Sequence, residues 1–224
     1  MTETKRTTSA GGSNAPKNAK TSKKTTKNGS RSGSRDRRHL RFAAIDLGTN
    51  NCRLLIAAPR GRNFRIVDAF SRIVRLGEGL GQNAVLSDGA MERTISALKI
   101  CAQKIEKRGV THIRCIATQA CRAADNGEDF LARVAKETGL KFEIIPTEEE
   151  ARLAVVGCAE LLDENTAAGL IFDIGGGSTE LSWVKIAKKG DGNPPTVDVV
   201  AWTSLPFGVV SLAEKWDGRE ITAE

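Results

Sequence analysis

The stretch "GLIFDIGGGSTELS", Gly169–Ser182, decides the fold. It sets an aspartate, three consecutive glycines, a hydroxyl pair and a glutamate between two runs of strand-forming residues. Glycine carries a large unfolded-state entropy and brings no side chain to a core. Three in a row make sense where something must come very close to bare backbone. An earlier stretch follows the same plan. In "AAIDLGTNN", Ala43–Asn51, an apolar run also ends in an Asp and turns through Gly, a hydroxyl and amides. Such turns present backbone N–H groups that can cradle an anion, and glycine lets phosphate oxygens approach without a Cβ in the way. An Asp beside a phosphate repels it unless a divalent cation lies between them. Asp46, Asp173 and Glu180 are hard oxygen donors suited to Mg²⁺.

Around these two turns the chain reads as alternating short elements. "RFAAID" (Arg41–Asp46), "CRLLIAAP" (Cys52–Pro59) and "FRIVDAFSRIVRL" (Phe64–Leu76) are three strands with short connections, which predicts an antiparallel meander. "GEGLGQNAVLSDG" (Gly77–Gly89) is read as a glycine-rich loop. Ser87 then caps a helix whose apolar face is Met91, Ile95, Leu98, Ala102 and Ile105, and Gly109 closes it. "HIRCIAT" (His112–Thr118) is a strand, a second helix runs from about Glu128 to Thr138, and "KFEIIP" (Lys141–Pro146) is a fifth strand. "TEEEARLAVVGCAELL" (Thr147–Leu162) is a third helix. The second half starts the same order again. "GLIFDI", "TELSWVKI" (Thr179–Ile186) and "TVDVVAWTSLP" (Thr196–Pro206) are strands, and "FGVVSLAEKW" (Phe207–Trp216) opens a helix. Measured against the first half, the second lacks two strands and their helices. The expected division is a basic tail at 1–40, a first lobe at 41–166 and the start of a second at 167–224.

The chain has 224 residues, 40% of them hydrophobic, enough for a real core. Its net charge of +7 belongs to the tail. Residues 1–40 hold 11 Lys and Arg against 2 Asp and Glu, which leaves 23 against 25 in the body. The tail has almost no large apolar residue, so burial cannot offset its ordering entropy, and disorder is expected there. It lacks the apolar stretch of a secretory signal and the amphipathic face of a transit peptide. Two roles stay open for it: a solubilising extension, or a tether for polyanions. No run of 18 apolar residues exists, so no membrane-spanning helix is expected. The five cysteines (Cys52, Cys101, Cys115, Cys121, Cys158) form no CxxC and fall mostly among apolar neighbours, as in a reducing cytoplasm. The two histidines, His39 and His112, make no metal or triad pattern. A GxxxxGK[ST] loop is absent, and "GEGLG" has neither the spacing nor the following helix of a dinucleotide fingerprint.

Four motifs in this order, "AAIDLGTNNCRLLI", "ATQACRAADNGEDFL", "IIPTEEEARL" and "FDIGGGSTEL", resemble the exopolyphosphatase / guanosine pentaphosphate phosphatase (Ppx/GppA) family from about Phe42 to Leu212. That family belongs to the actin–Hsp70–sugar kinase superfamily. The resemblance implies an α/β fold: an actin-like (RNase H-like) lobe with a five-stranded mixed sheet, then the start of a second lobe of the same type. It implies a phosphohydrolase that uses Mg²⁺ and acts on polyphosphate or guanosine pentaphosphate, with dimers common among members. Gly48, Thr49 and Asn50 would line the first phosphate turn, and Gly175, Gly176, Gly177, Ser178 and Thr179 the second. Asp173, Ser178 and Glu180 would hold the metal directly or through water, with Asp46 a ligand or a support for its turn. Arg122, expected in a loop, would contact phosphate. "TNNC" departs from the "SNSF" common in relatives: Thr49 keeps a hydroxyl, but Cys52 replaces an aromatic.

Glu150 has two competing readings. "TEEE" is a capping box, with Thr147 as N-cap and Glu150 folding back to it. The Glu before "AR" is also the position of the family's catalytic base, and the motif context favours that role. Glu149 points about 100° away around the helix. Two hypotheses follow: an Mg²⁺-dependent hydrolase of terminal phosphate, or a non-catalytic module that binds polyanions.

Overall fold

The structure is a computed structural model that describes residues 40–61, 63–163, 165–187 and 196–216. The basic tail and most of the Ala187–Pro195 loop lie outside the described residues. Strand β1 (Phe42–Leu47) pairs antiparallel with β2 (Asn51–Arg60), which pairs antiparallel with β3 (Asn63–Ile73). On its other side β1 pairs parallel with β4 (His112–Ala117), and β4 with β5 (Glu143–Ile144). The sheet order is β3-β2-β1-β4-β5, the mixed five-stranded sheet expected. Two parallel neighbours need crossovers, and helices supply them.

Between β3 and β4 run a short helix α1 (Leu80–Asn83), inside the stretch read as a loop, and the long α2 (Asp88–Lys107). Between β4 and β5 come α3 (Gln119–Ala123) and α4 (Gly127–Thr138). Alternation decides the core face of the sheet: Ala43, Ile45 and Leu47 of β1 and Cys52, Leu54 and Ile56 of β2 are buried, their neighbours less so. Against them pack Ile95 and Leu98 of α2 and Phe130 and Val134 of α4, all fully buried. Each such side chain contributes about 1.5–3 kcal/mol. Gly139 ends α4 in a left-handed conformation at φ 74°, where a Cβ would be strained. Ser87 caps α2 as expected, its Oγ accepting from the Ala90 N–H at 3.3 Å. Ser87→Ala should cost about 1 kcal/mol, read as a lower urea midpoint at unchanged slope.

Helix α5 (Thr147–Cys158), followed by a 3₁₀ turn at Ala159–Leu161, leads to a second sheet. There β6 (Ala168–Ile174), β7 (Thr179–Ala187) and β8 (Thr196–Leu205) form an antiparallel meander, and α6 (Val209–Trp216) follows. Val155 of α5 packs with Ile171, Val184 and Ile186 of this sheet. The helix that leaves the first sheet therefore packs on the second. The two meanders share a defect that the sequence did not announce. A register shift falls between Ile56 and Ala57, ten residues after Asp46, and between Trp183 and Val184, ten after Asp173. A bulge bends and twists its strand, so both meanders deform at matching places.

The differences from expectation are local. β3 stops at Ile73 because Val74 and Arg75 turn away to donate to the Asn50 carbonyl. β5 is two residues long, since only Ile116 and Ala117 offer it a partner. Four of the cysteines are buried and Cys158 is partly so, all of them free. Among the described residues no helix is long and apolar enough to cross a membrane.

Candidate active site

The two Asp-Gly turns are built alike. In the first, the Gly48 N–H donates to the Asn51 carbonyl at 3.0 Å; in the second, the Gly175 N–H donates to the Ser178 carbonyl at 2.9 Å. Each turn is then fastened from outside. The Asn50 carbonyl accepts from Val74 and Arg75, and the Thr49 carbonyl from Gly77. The Gly175 and Gly176 carbonyls accept from Val209 and Val210, the first residues of α6. Among the described residues the N–H groups of Thr49, Asn50, Gly176 and Gly177 donate to no partner. Successive unpaired N–H groups in a turn are what an anion needs.

The glycines answer a question that the sequence left half open. None of Gly175, Gly176 and Gly177 has a positive φ, so left-handed backbone is not the reason for them. A Cβ on Gly176 would lie 2.9 Å from Thr49 Cβ, and one on Gly177 would lie 2.9 Å from Thr49 Oγ1 and 3.0 Å from Gln119 Cγ. What comes close to the bare backbone is the other turn. Gly208 does the same from behind, 2.4 Å from the Gly176 carbonyl carbon if it carried a Cβ.

Between the turns is a cavity of about 140 Å³. Its wall includes Asp46, Gly48, Thr49 and Asn50 from the first turn and Asp173 and Gly175 to Ser178 from the second. Glu150, Thr118 and Gln119 complete it, with Arg53 at the rim. Asp46 and Asp173 thus open toward one shared space. Partial burial pushes the Asp46 carboxyl up; Arg53, 3.9 Å away, pulls it down, and Asp173 adds repulsion. Thr179 and Glu180 do not line the cavity. Thr179 Oγ1 donates to the Phe207 carbonyl at 2.7 Å and ties β7 to the loop before α6. Glu180 is buried and accepts from Ser204 Oγ at 2.8 Å, in register with Asp173 on the neighbouring strand.

The capping box does not form. The N-cap is Pro146, and no side chain caps the helix. Glu150 turns instead to Arg122, whose Nη2 donates to its Oε2 at 3.0 Å. Burial raises the Glu150 pKa; Arg122 and Thr118 oppose that shift, and the charge of Glu180 adds to it. Glu149 faces elsewhere, paired with Arg152 at 2.6 Å and Arg114 at 3.3 Å. Arg152 chiefly holds its carboxyl down at about 2.

Arg122 differs from expectation. It stands on helix α3, not in a loop, and it does not line the cavity. Both terminal nitrogens are engaged by protein: Nη1 donates to the Ile145 carbonyl at 2.7 Å, and Nη2 to Gln119 Oε1 at 2.8 Å as well as to Glu150. Gln119 and Thr118 were missed in the sequence, because a single amide and a single hydroxyl in a short helix leave no pattern to read.

The family model described as Ppx/GppA phosphatase matches residues 55–222. The chain belongs to the Ppx/GppA phosphatase family. It is 35% identical over 188 residues to the guanosine-5'-triphosphate,3'-diphosphate pyrophosphatase of Photobacterium profundum, covering 82% of this chain and 35% of that protein. Among solved structures, the Ppx/GppA family member of Aquifex aeolicus matches at 34% identity and a TM-score of 0.62, covering 79% of this chain and 54% of that one. An exopolyphosphatase from Cytophaga hutchinsonii matches at 26% identity and a TM-score of 0.69, with 78% and 53% covered. This Ppx/GppA chain therefore spans about a third of the curated relative and about half of the solved ones.

Proposed function

We propose that the protein hydrolyses a terminal phosphoanhydride bond, releasing the end phosphate of inorganic polyphosphate or the 5'-phosphate of guanosine pentaphosphate, with Mg²⁺. The observation that carries this reading is the convergence of both Asp turns and Glu150 on one cavity. The relatives' names, a pyrophosphatase of a guanosine nucleotide and an exopolyphosphatase, support that substrate class.

The donor set fits a cation shared with substrate. Among the described residues no three His, Cys, Asp or Glu side chains gather into a metal cage. Mg²⁺ commonly takes one or two carboxylates and fills its sphere with water and phosphate oxygens. Asp46 and Asp173, with the buried Ser178 hydroxyl, are the residues that would hold it, and the buried charge of Glu180 backs them. When bound, the cation supplies neutralisation of phosphate charge.

The chain's own groups do the rest. The unpaired N–H groups of Thr49, Asn50, Gly176 and Gly177 orient the end phosphate from two sides. Glu150 orients a water and takes its proton at a carboxylate oxygen, acting as general base. Arg122 holds one carboxylate oxygen, Oε2, and so keeps the group away from the helix N-terminus and leaves the other oxygen for the water.

The test is phosphate release by the full-length protein from long-chain polyphosphate and from guanosine pentaphosphate, each with Mg²⁺ and with EDTA. Release from at least one substrate that EDTA stops is the expected result. Binding of polyphosphate without release under any condition would leave the protein a polyanion-binding module and end the hydrolase reading.

A further inference from the structure

We propose that Gln119 is a positioning residue, which anchors Arg122 so that the guanidinium holds Glu150 at the angle proton transfer needs. The proposal rests on the hydrolase reading above. Its basis is a chain of contacts. Gln119 Oε1 accepts from Arg122 Nη2 at 2.8 Å, and the same nitrogen donates to Glu150 Oε2 at 3.0 Å. The Ile145 carbonyl fixes the other arm at 2.7 Å. Without Gln119 the guanidinium would keep one backbone anchor and could rotate about it, carrying Glu150 along.

A second contact links this anchor to the opposite turn. Gln119 Cγ lies where a Cβ on Gly177 would come within 3.0 Å, so the side chain rests against bare backbone of the second turn. Gln119 also lines both the cavity between the turns and a larger one of about 410 Å³ beside it, walled by Leu80, Pro206 and Val210. It is thus the one side chain of α3 in contact with the second turn and with the Arg122–Glu150 pair together, among the described residues. A shift of the second turn acts on Gln119 and through it on the base.

The residue type matters. The amide oxygen accepts from Arg122 without adding charge. A carboxylate there would accept from Arg122 as well but would repel phosphate. A thioether of similar length would fill the space against Gly177 but accept almost nothing.

The test compares two variants of the full-length protein. Gln119→Met is expected to lower kcat about tenfold, the effect of one lost hydrogen bond to a charged group, with KM nearly unchanged. Gln119→Glu restores an acceptor at the same place and is expected to recover kcat, while its KM rises. Wild-type kcat in Gln119→Met, or a Gln119→Glu as slow as Gln119→Met, overturns the proposal. A readout that needs no turnover is rotation of the Arg122 guanidinium, followed by ¹⁵N NMR. It should be slow in the wild type and fast in Gln119→Met; equal rates overturn the proposal. Failure of the hydrolase reading shows separately, as a wild type that releases no phosphate from either substrate, and the NMR comparison still decides whether Gln119 anchors Arg122.

Discussion

Glu150→Gln lowers phosphate release about 10²–10⁴-fold, the usual consequence of removing a positioned general base, while binding of the substrate is largely kept. The amide is isosteric and can still accept from Arg122, so the ion pair becomes a plain hydrogen bond and the wall of the cavity stays in place. What is lost is a group able to take a proton. Steady-state kcat and a separate binding measurement decide the matter: a change of less than threefold in kcat removes Glu150 from the reaction. Glu149→Gln is the matched control, one residue away and paired with Arg152 and Arg114 outside the cavity; it should leave kcat within threefold of the wild type. The pH dependence follows from the same geometry. Burial raises the Glu150 pKa from its ordinary value, and the base works only when ionised. Activity should therefore fall as pH drops through that raised value, and the limb should vanish in Glu150→Gln.

Gly208→Ala should lower kcat/KM about 10²-fold without unfolding the protein. Its Cβ would meet only backbone: the Gly176 carbonyl carbon at 2.4 Å, and the Gly176 oxygen and Gly177 nitrogen at 2.5 Å. No flexible side chain can yield there, so the second turn must move. That turn supplies half of the proposed phosphate donors, and a misplacement of about 1 Å is enough for such a loss. The main core lies on the other sheet, around Phe130, Leu98 and Ile45, so the melting curve should change little. Gly157→Ala is the control: a Cβ there meets nothing within 4 Å. An active Gly208→Ala with a displaced second turn would show that the turn does not grip the substrate.

Much of the fold was legible in the residues. Short apolar runs bounded by turn residues mark β1 and β2, the Met91–Ile105 spacing marks α2, and two Asp-Gly turns mark the paired halves. Glu149 and Glu150 separate by rotation around a helix alone. The rest needed partners that sequence does not display. "TEEE" has the letters of a capping box, yet Pro146 takes the N-cap position and Arg122 offers Glu150 a charged partner, which is stronger than a backbone N–H. β5 is short because strand length depends on what lies alongside, not on the apolar run itself. The glycines were assigned to an anion from chemistry, but their immediate neighbours are Thr49, Asn50 and Gln119. Only the folded chain brings residues so far apart in sequence within van der Waals reach.

Main chain pressed against main chain also limits how this enzyme family can be retuned. A pocket walled by side chains can be widened or narrowed one atom at a time. Here Gly208 lies against the backbone of Gly176 and Gly177, which leaves nothing to trim and no space for additions, so single substitutions at that contact should cost much of the activity. Taste for one substrate over another has to be settled downstream of it, along the rim, where ordinary side chains begin.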